Sequence, residues 1–184
     1  MFSKKGKSTT YKHIFKKRIF LLYLCQINIF MIELKIGDQA PQFKGVDQDE
    51  NTVSSTDYKG KKLIVFFYPK ASTPGCTAES CNFRDNYADW QSKGYSIIGV
   101  SADSVKRQKN FATKNELPYP LIADEEKEVI NAFGAWGPKK LYGREYEGIY
   151  RYTFVIGENW KIEHLLHKVK TKEATQQLYT DLKL

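Results

Sequence analysis

Cysteine is scarce, with three residues in a chain of 184. That is too few for the disulfide framework of a small secreted protein, so thiols beside a buried strand read as reactive groups rather than staples. Histidine is equally scarce, with three residues. His164 and His167 fall in a different element from the paired thiols, which disfavours a zinc site and makes them surface or sheet-edge residues. No two cysteines are separated by two residues, the usual spacing of a thiol–disulfide oxidoreductase. A glycine-rich phosphate loop, an internal repeat and a low-complexity tract are all absent.

The formal net charge of +8 suggests a polyanionic partner. Its distribution argues otherwise. Lys4, Lys5, Lys7, Lys12, Lys16, Lys17 and Arg18 lie in residues 1–30, which hold no acidic residue; 22 of the 29 basic residues then face all 21 acidic ones in the rest of the chain. The body is near neutral, carries no recognisable nucleic-acid module and is expected to bind no nucleic acid. The chain is long enough for one domain with a real core plus an appendage.

Residues 1–30 form that appendage. A basic stretch leads into an apolar run from Ile19 that includes Cys25. Basic-then-apolar order suits a secretory signal, but no small-x-small cleavage site follows. A membrane anchor needs about 20 apolar residues, and this run is shorter and interrupted by Gln26 and Asn28. The third reading makes Met31 the working start, because an ordinary domain opening follows it. Cys25 reads as a small apolar residue. The expected division is 1–30 as an N-terminal extension and 31–184 as the working domain.

The body alternates strands and helices. Residues 46–53 read as a hairpin around an acidic turn, and 63–68 as a buried apolar strand. A helix is expected from Pro74 to about Ser92, with Phe83, Tyr87 and Trp90 at helical spacing and Gly94 at the exit. A second buried strand covers 95–101, and Asp103 or Ser104 is expected to cap a helix to about Asn115. A short strand at 118–124 and a short helix at 126–133 follow. The glycine-rich stretch 135–148 reads as loop, 150–156 as a strand, 161–165 as its hairpin partner, and Thr171 begins a terminal helix. This order predicts an α/β fold, with a mixed central sheet and helices on both faces.

The chemistry concentrates between Pro69 and Cys81. Cys76 falls at a strand-to-helix turn, where unpaired backbone N–H groups and the helix dipole favour thiolate over thiol. Backbone N–H groups near Gly75 and Cys76, the Thr73 hydroxyl and a guanidinium are the donors available to a leaving oxygen. Gly75 keeps the approach to Cys76 open, and Pro69 and Pro74 stiffen the turn. Five residues of ideal helix separate two Cα atoms by about 8.7 Å, whereas a disulfide needs about 7 Å or less. If both thiols sit on one helix, joining Cys76 to Cys81 requires it to unwind. Alone, Cys81 also reads as an inert buried thiol. A redox-sensing or chaperone-like switch is the alternative from another class.

The pattern Pro69-x-x-x-Thr73-x-x-Cys76 resembles the active-site motif of the peroxiredoxins. With Cys81 five residues on, it resembles the Q-type group, also called bacterioferritin comigratory proteins. Phe66-Phe67-Tyr68 before it, Phe83-Arg84-Asp85 after it, and the later runs Phe133-Gly134-Ala135-Trp136-Gly137 and Gly148 through Ile156 extend the likeness over residues 33–184. The resemblance implies a thioredoxin-like fold and an atypical two-cysteine thiol peroxidase that protects cells by reducing hydrogen peroxide and organic hydroperoxides. It implies Cys76 as the peroxidatic thiol and Cys81 as the resolving thiol, joined in an intramolecular disulfide that thioredoxin or a similar dithiol reduces. Thr73 and Arg151 would position thiolate and peroxide, within a turn shaped by Pro69 and Gly75, and Glu79 would orient the hydrogen bonds. Neither metal nor organic cofactor is implied. A monomer in the cytoplasm is expected, with anchoring or export only if residues 1–30 belong to the native protein.

Overall fold

The computed structural model describes residues 33–141 and 143–184. The readings made for residues 1–30, Cys25 among them, lie outside the described residues.

A five-stranded sheet organises the body. Its strands are β3 (Lys62–Phe67), β4 (Tyr95–Ser101), β5 (Leu121–Ala123), β8 (Thr153–Ile156) and β9 (Ile162–Leu166), in the order β5-β4-β3-β8-β9. Strands β3, β4 and β5 run parallel, and β8 and β9 are antiparallel to their neighbours. The expected mixed sheet with a parallel core is therefore present. An N-terminal hairpin pairs β1 (Lys44–Val46) with β2 (Thr52–Ser54), followed by a 3-10 turn at Ser55–Tyr58.

Successive residues of β3 point to opposite faces, and both faces are covered. Leu63, Val65 and Phe67 pack with Phe43, Ile130, Phe133 and Phe154. Ile64, Phe66 and Tyr68 pack with Cys76, Phe83, Trp90, Phe111 and Leu178. Burial on both sides explains why this strand reads as an unbroken apolar run rather than an alternating one. Each fully buried side chain of this size contributes roughly 1.5–3 kcal/mol, so β3 is a rigid support for the turn at its C-terminal end.

Helices α1 (Pro74–Asp85), α2 (Tyr87–Ser92), α3 (Val105–Lys114) and α5 (Ala174–Leu182) supply the second of these cores; α4 (Glu128–Ala132) lies on the first. Three expectations need correction. The helix anticipated from Pro74 to Ser92 is two helices, because Asn86 leaves helical geometry at φ −109° and ψ 12° and its side chain donates to the Asn82 carbonyl at 2.8 Å. An Asn amide that bonds its own backbone competes with helix continuation. The stretch expected to be loop is an antiparallel hairpin, β6 (Trp136–Leu141) with β7 (Arg144–Ile149). Gly137, Pro138, Gly143 and Gly148 lower its strand propensity, but a two-stranded ribbon tolerates a proline that a central strand would not. The strand expected over residues 150–156 is shorter, beginning at Thr153, which leaves Tyr150, Arg151 and Tyr152 outside the ladder.

Candidate active site

The chain leaves β3 at Phe67, turns through Tyr68–Thr73 and enters α1. Thr73 is the N-cap residue and Pro74 the first helical residue, where a missing N–H is harmless. Cys76 is the third. The first intrahelical bond runs from the Thr77 N–H to the Thr73 carbonyl at 2.9 Å. The amides of Gly75 and Cys76 therefore belong to the first turn, whose N–H groups have no intrahelical acceptor. They lie at the positive end of a helix of 12 residues.

A buried polar chain fixes the turn. The Ala71 N–H donates to Asp103 Oδ2 at 2.6 Å, and Ser101 Oγ donates to the same oxygen at 2.8 Å. Gln108 Nε2 donates to Ser101 Oγ at 2.9 Å, while Gln108 Oε1 accepts from the Tyr68 hydroxyl. Asp103 is thus committed to the turn and does not cap α3; Ser104 is the N-cap residue there and makes no side-chain cap bond. Sequence reasoning missed this use of Asp103, because a short acidic residue after an apolar strand also fits a helix cap. Held in this way, Ser72 keeps a left-handed φ of +62°, a conformation uncommon outside glycine.

Three charged or chargeable groups converge behind the turn. Cys76 is fully buried, and Arg151 Nη2 donates to its Sγ at 3.2 Å. The other guanidinium nitrogen, Nη1, is ion-paired to Glu79 Oε2. Glu79 has no solvent exposure, and its second oxygen, Oε1, has no protein partner. Burial pushes the Glu79 carboxyl up to about 7, against the pull of Arg151. Burial of Arg151 opposes its charge, but Glu79 and Cys76 more than offset this and its pKa rises. The arrangement is a cation wedged between a carboxylate and a sulfur. It lets one guanidinium make hydrogen bonds to both, and charge-assisted bonds are about twice as strong as neutral ones.

The remaining expected residues occupy distinct places. Thr73 Oγ1 donates to the Lys70 carbonyl at 3.0 Å, so in this state its proton faces the turn itself. Pro69 begins the turn and is half-buried. A Cβ built on Gly75 would stand 3.5 Å from Arg151 Nη2, in contact with the guanidinium. Cys81 lies on the same unbroken α1 as Cys76, half-buried, and both thiols are free. Its Sγ is 3.9 Å from Asn115 Oδ1 at the end of α3, a loose contact. The structure thus brings Cys76, Glu79 and Arg151 together and leaves Cys81 farther along the helix.

Residues 36–165 match the AhpC/TSA family. The chain belongs to that family of peroxiredoxins. This peroxiredoxin is 43% identical to Peroxiredoxin Bcp of Escherichia coli K12 over 141 residues, which cover 77% of this chain and 90% of that protein. It is 39% identical to Peroxiredoxin Bcp of Bacillus subtilis over 150 residues, covering 82% and 96% of the two chains. Among solved structures it is similar to the bacterioferritin comigratory protein of Xanthomonas campestris, described for its alkyl peroxide reduction activity. The two share 29% identity with a TM-score of 0.74, over 82% of this chain and 96% of that one. The thioredoxin-like fold and the Q-type resemblance both hold. As a peroxiredoxin, the protein is a thiol peroxidase, an antioxidant enzyme acting on hydroperoxides at the expense of thiols.

Proposed function

We propose that this peroxiredoxin reduces hydrogen peroxide and organic hydroperoxides through Cys76, with Cys81 resolving the oxidised thiol within the same chain. The observation that carries this reading is the bond from Arg151 Nη2 to Cys76 Sγ at 3.2 Å, in the first turn of a helix. A thiolate there attacks one peroxide oxygen. The O–O bond breaks, the other oxygen leaves as hydroxide or alkoxide and takes up a proton, and Cys76 becomes a sulfenic acid. Arg151 and the first-turn amides stabilise the charge that moves onto the departing oxygen. Thr73, after rotating its hydroxyl from the Lys70 carbonyl, adds a donor; Pro69 and Gly75 hold the turn open to substrate.

Cys81 then attacks the sulfenic sulfur, forming a Cys76–Cys81 disulfide and releasing water. On one ideal helix the two Cα atoms stand about 8.7 Å apart, beyond the roughly 7 Å a disulfide allows, so this step opens α1. An external dithiol such as thioredoxin restores both thiols. Two cysteines on one helix make a monomer sufficient for the cycle. On the same reading the working domain is 31–184 and acts in the cytoplasm. Among the described residues no helix is long and apolar enough to cross a membrane.

Intact-mass analysis after one equivalent of hydrogen peroxide tests the assignment. Wild type should lose two hydrogens and yield a linked Cys76–Cys81 peptide, and Cys81→Ser should gain one oxygen. A wild-type protein that gains oxygen and never forms the link would exclude Cys81 as the resolving thiol.

A further inference from the structure

Arg151 sits between two strands and has no ladder of its own. Its guanidinium nevertheless reaches both Cys76 and Glu79. The two residues before it, Ile149 and Tyr150, are held by the β6–β7 hairpin and by Ala135 at its entry. Lys139 Nζ donates to the Ile149 carbonyl at 2.9 Å. The Tyr150 hydroxyl donates to the Pro138 carbonyl at 3.0 Å, and the Tyr150 N–H donates to the Ala135 carbonyl at 2.8 Å.

Both side chains cross the ribbon over glycines. A Cβ on Gly148 would stand 3.2 Å from Lys139 Cδ, and one on Gly137 would stand 2.6 Å from the Tyr150 hydroxyl oxygen. The hairpin is thus shaped to let a lysine stem and a tyrosine ring lie flat across it and grip the chain at Ile149 and Tyr150.

A lysine is a costly choice for this grip. Half-burial and the charge of Arg151 both work against its ammonium, whereas charge at Cys76 supports it. Lys139 therefore lies within the field of the reacting sulfur as well as on the tether of Arg151.

We propose that Lys139 is a positioning residue for peroxide reduction: by holding the Ile149 carbonyl it fixes the segment that aims the Arg151 guanidinium at Cys76. The proposal rests on the reading of Cys76 and Arg151 given above. Misplacing a catalytic group by about 1 Å can cost about 100-fold in rate, so loss of the tether should be visible in the first turnover.

The test is a double-mutant cycle on the second-order rate constant for hydrogen peroxide in the first turnover. Lys139→Met should slow it roughly 10- to 100-fold. In an Arg151→Gln background the same substitution should change the rate by less than about twofold, because the group it positions is gone. Lys139→Arg, which keeps a cationic donor, should recover most of the loss. An unchanged rate in Lys139→Met would overturn the proposal. So would an equal loss in both backgrounds, the mark of general damage to the fold. Where Arg151→Gln is too slow to measure, failure of Lys139→Arg to recover the rate overturns it alone. A wild-type protein that consumes no peroxide would instead sink the reading of Cys76, an outcome distinct from these.

Discussion

Oxidation of the two thiols to a disulfide should melt the start of α1, and the structure sets the size and the limits of the effect. The Cα separation on an intact helix, about 8.7 Å, must shrink by at least about 1.7 Å. A helix cannot shorten that far without breaking its bonds, so the turns between Cys76 and Cys81 must open. Three tethers of the closed segment are then given up: the Arg151–Cys76 bond, the Arg151–Glu79 pair and the bond from the Tyr119 hydroxyl to the Ser80 carbonyl. At ~1 kcal/mol for the neutral bond and ~1.5–3 for each charged one, they total ~4–7 kcal/mol. Flanking anchors survive. Upstream, Ala71 stays on Asp103. Downstream, Asn82 accepts from the Thr175 N–H at 2.8 Å and Arg84 donates to the Asn115 carbonyl at 2.8 Å. Amide hydrogen exchange on reduced and oxidised protein reads this directly. Amides from Thr77 to Cys81 should lose at least about a thousandfold in protection, the equivalent of ~4 kcal/mol, with smaller losses beyond Asn82. Cys81→Ser treated with the same peroxide should keep its protection. Full protection of residues 76–84 in protein shown by mass to carry the disulfide would refute the helix geometry.

Other perturbations separate the supporting groups. Glu79 binds its proton more tightly in the folded protein, its pKa moving from 4.5 to about 7. The stability this confers is complete below about 4.5 and is lost as pH rises through about 7. Relative to Glu79→Gln, wild type should therefore lose ~3 kcal/mol across that window in urea unfolding; parallel pH profiles would contradict this. Asp103→Ala strands the Ala71 N–H and the Ser101 hydroxyl in the interior. It should cost ~3 kcal/mol of stability and slow the first turnover, whereas an unchanged unfolding midpoint would mean that the turn is held by other contacts.

The sheet was legible because its strands are apolar on both faces: Leu63 through Tyr68 and Tyr95 through Val100 announce themselves by hydrophobicity alone. The strand-to-helix turn that carries Cys76 was legible because a proline and a glycine follow an apolar strand, and Pro74 suits the first helical position it occupies. The features that stayed hidden depend on contacts distant in sequence. Nothing local says that Asp103 serves Ala71 rather than α3. The β6–β7 ribbon reads as loop because Gly137 and Gly148 look like breakers, yet they are spaces for Tyr150 and Lys139. Asn86 divides a helix whose apolar residues continue in phase through Trp90, so periodicity could not see the break. Lys139, 12 residues before Arg151 in the chain, gave no signal as a neighbour of the site.

The central claim is a division of labour between two thiols, and stopped-flow peroxide consumption with wild type, Cys76→Ser and Cys81→Ser tests it most directly. Wild type supplied with a dithiol reductant should turn over repeatedly. Cys76→Ser should consume no peroxide, and Cys81→Ser should consume one equivalent and then stall until an external thiol rescues it. Equal loss of the first turnover in both variants would contradict the account.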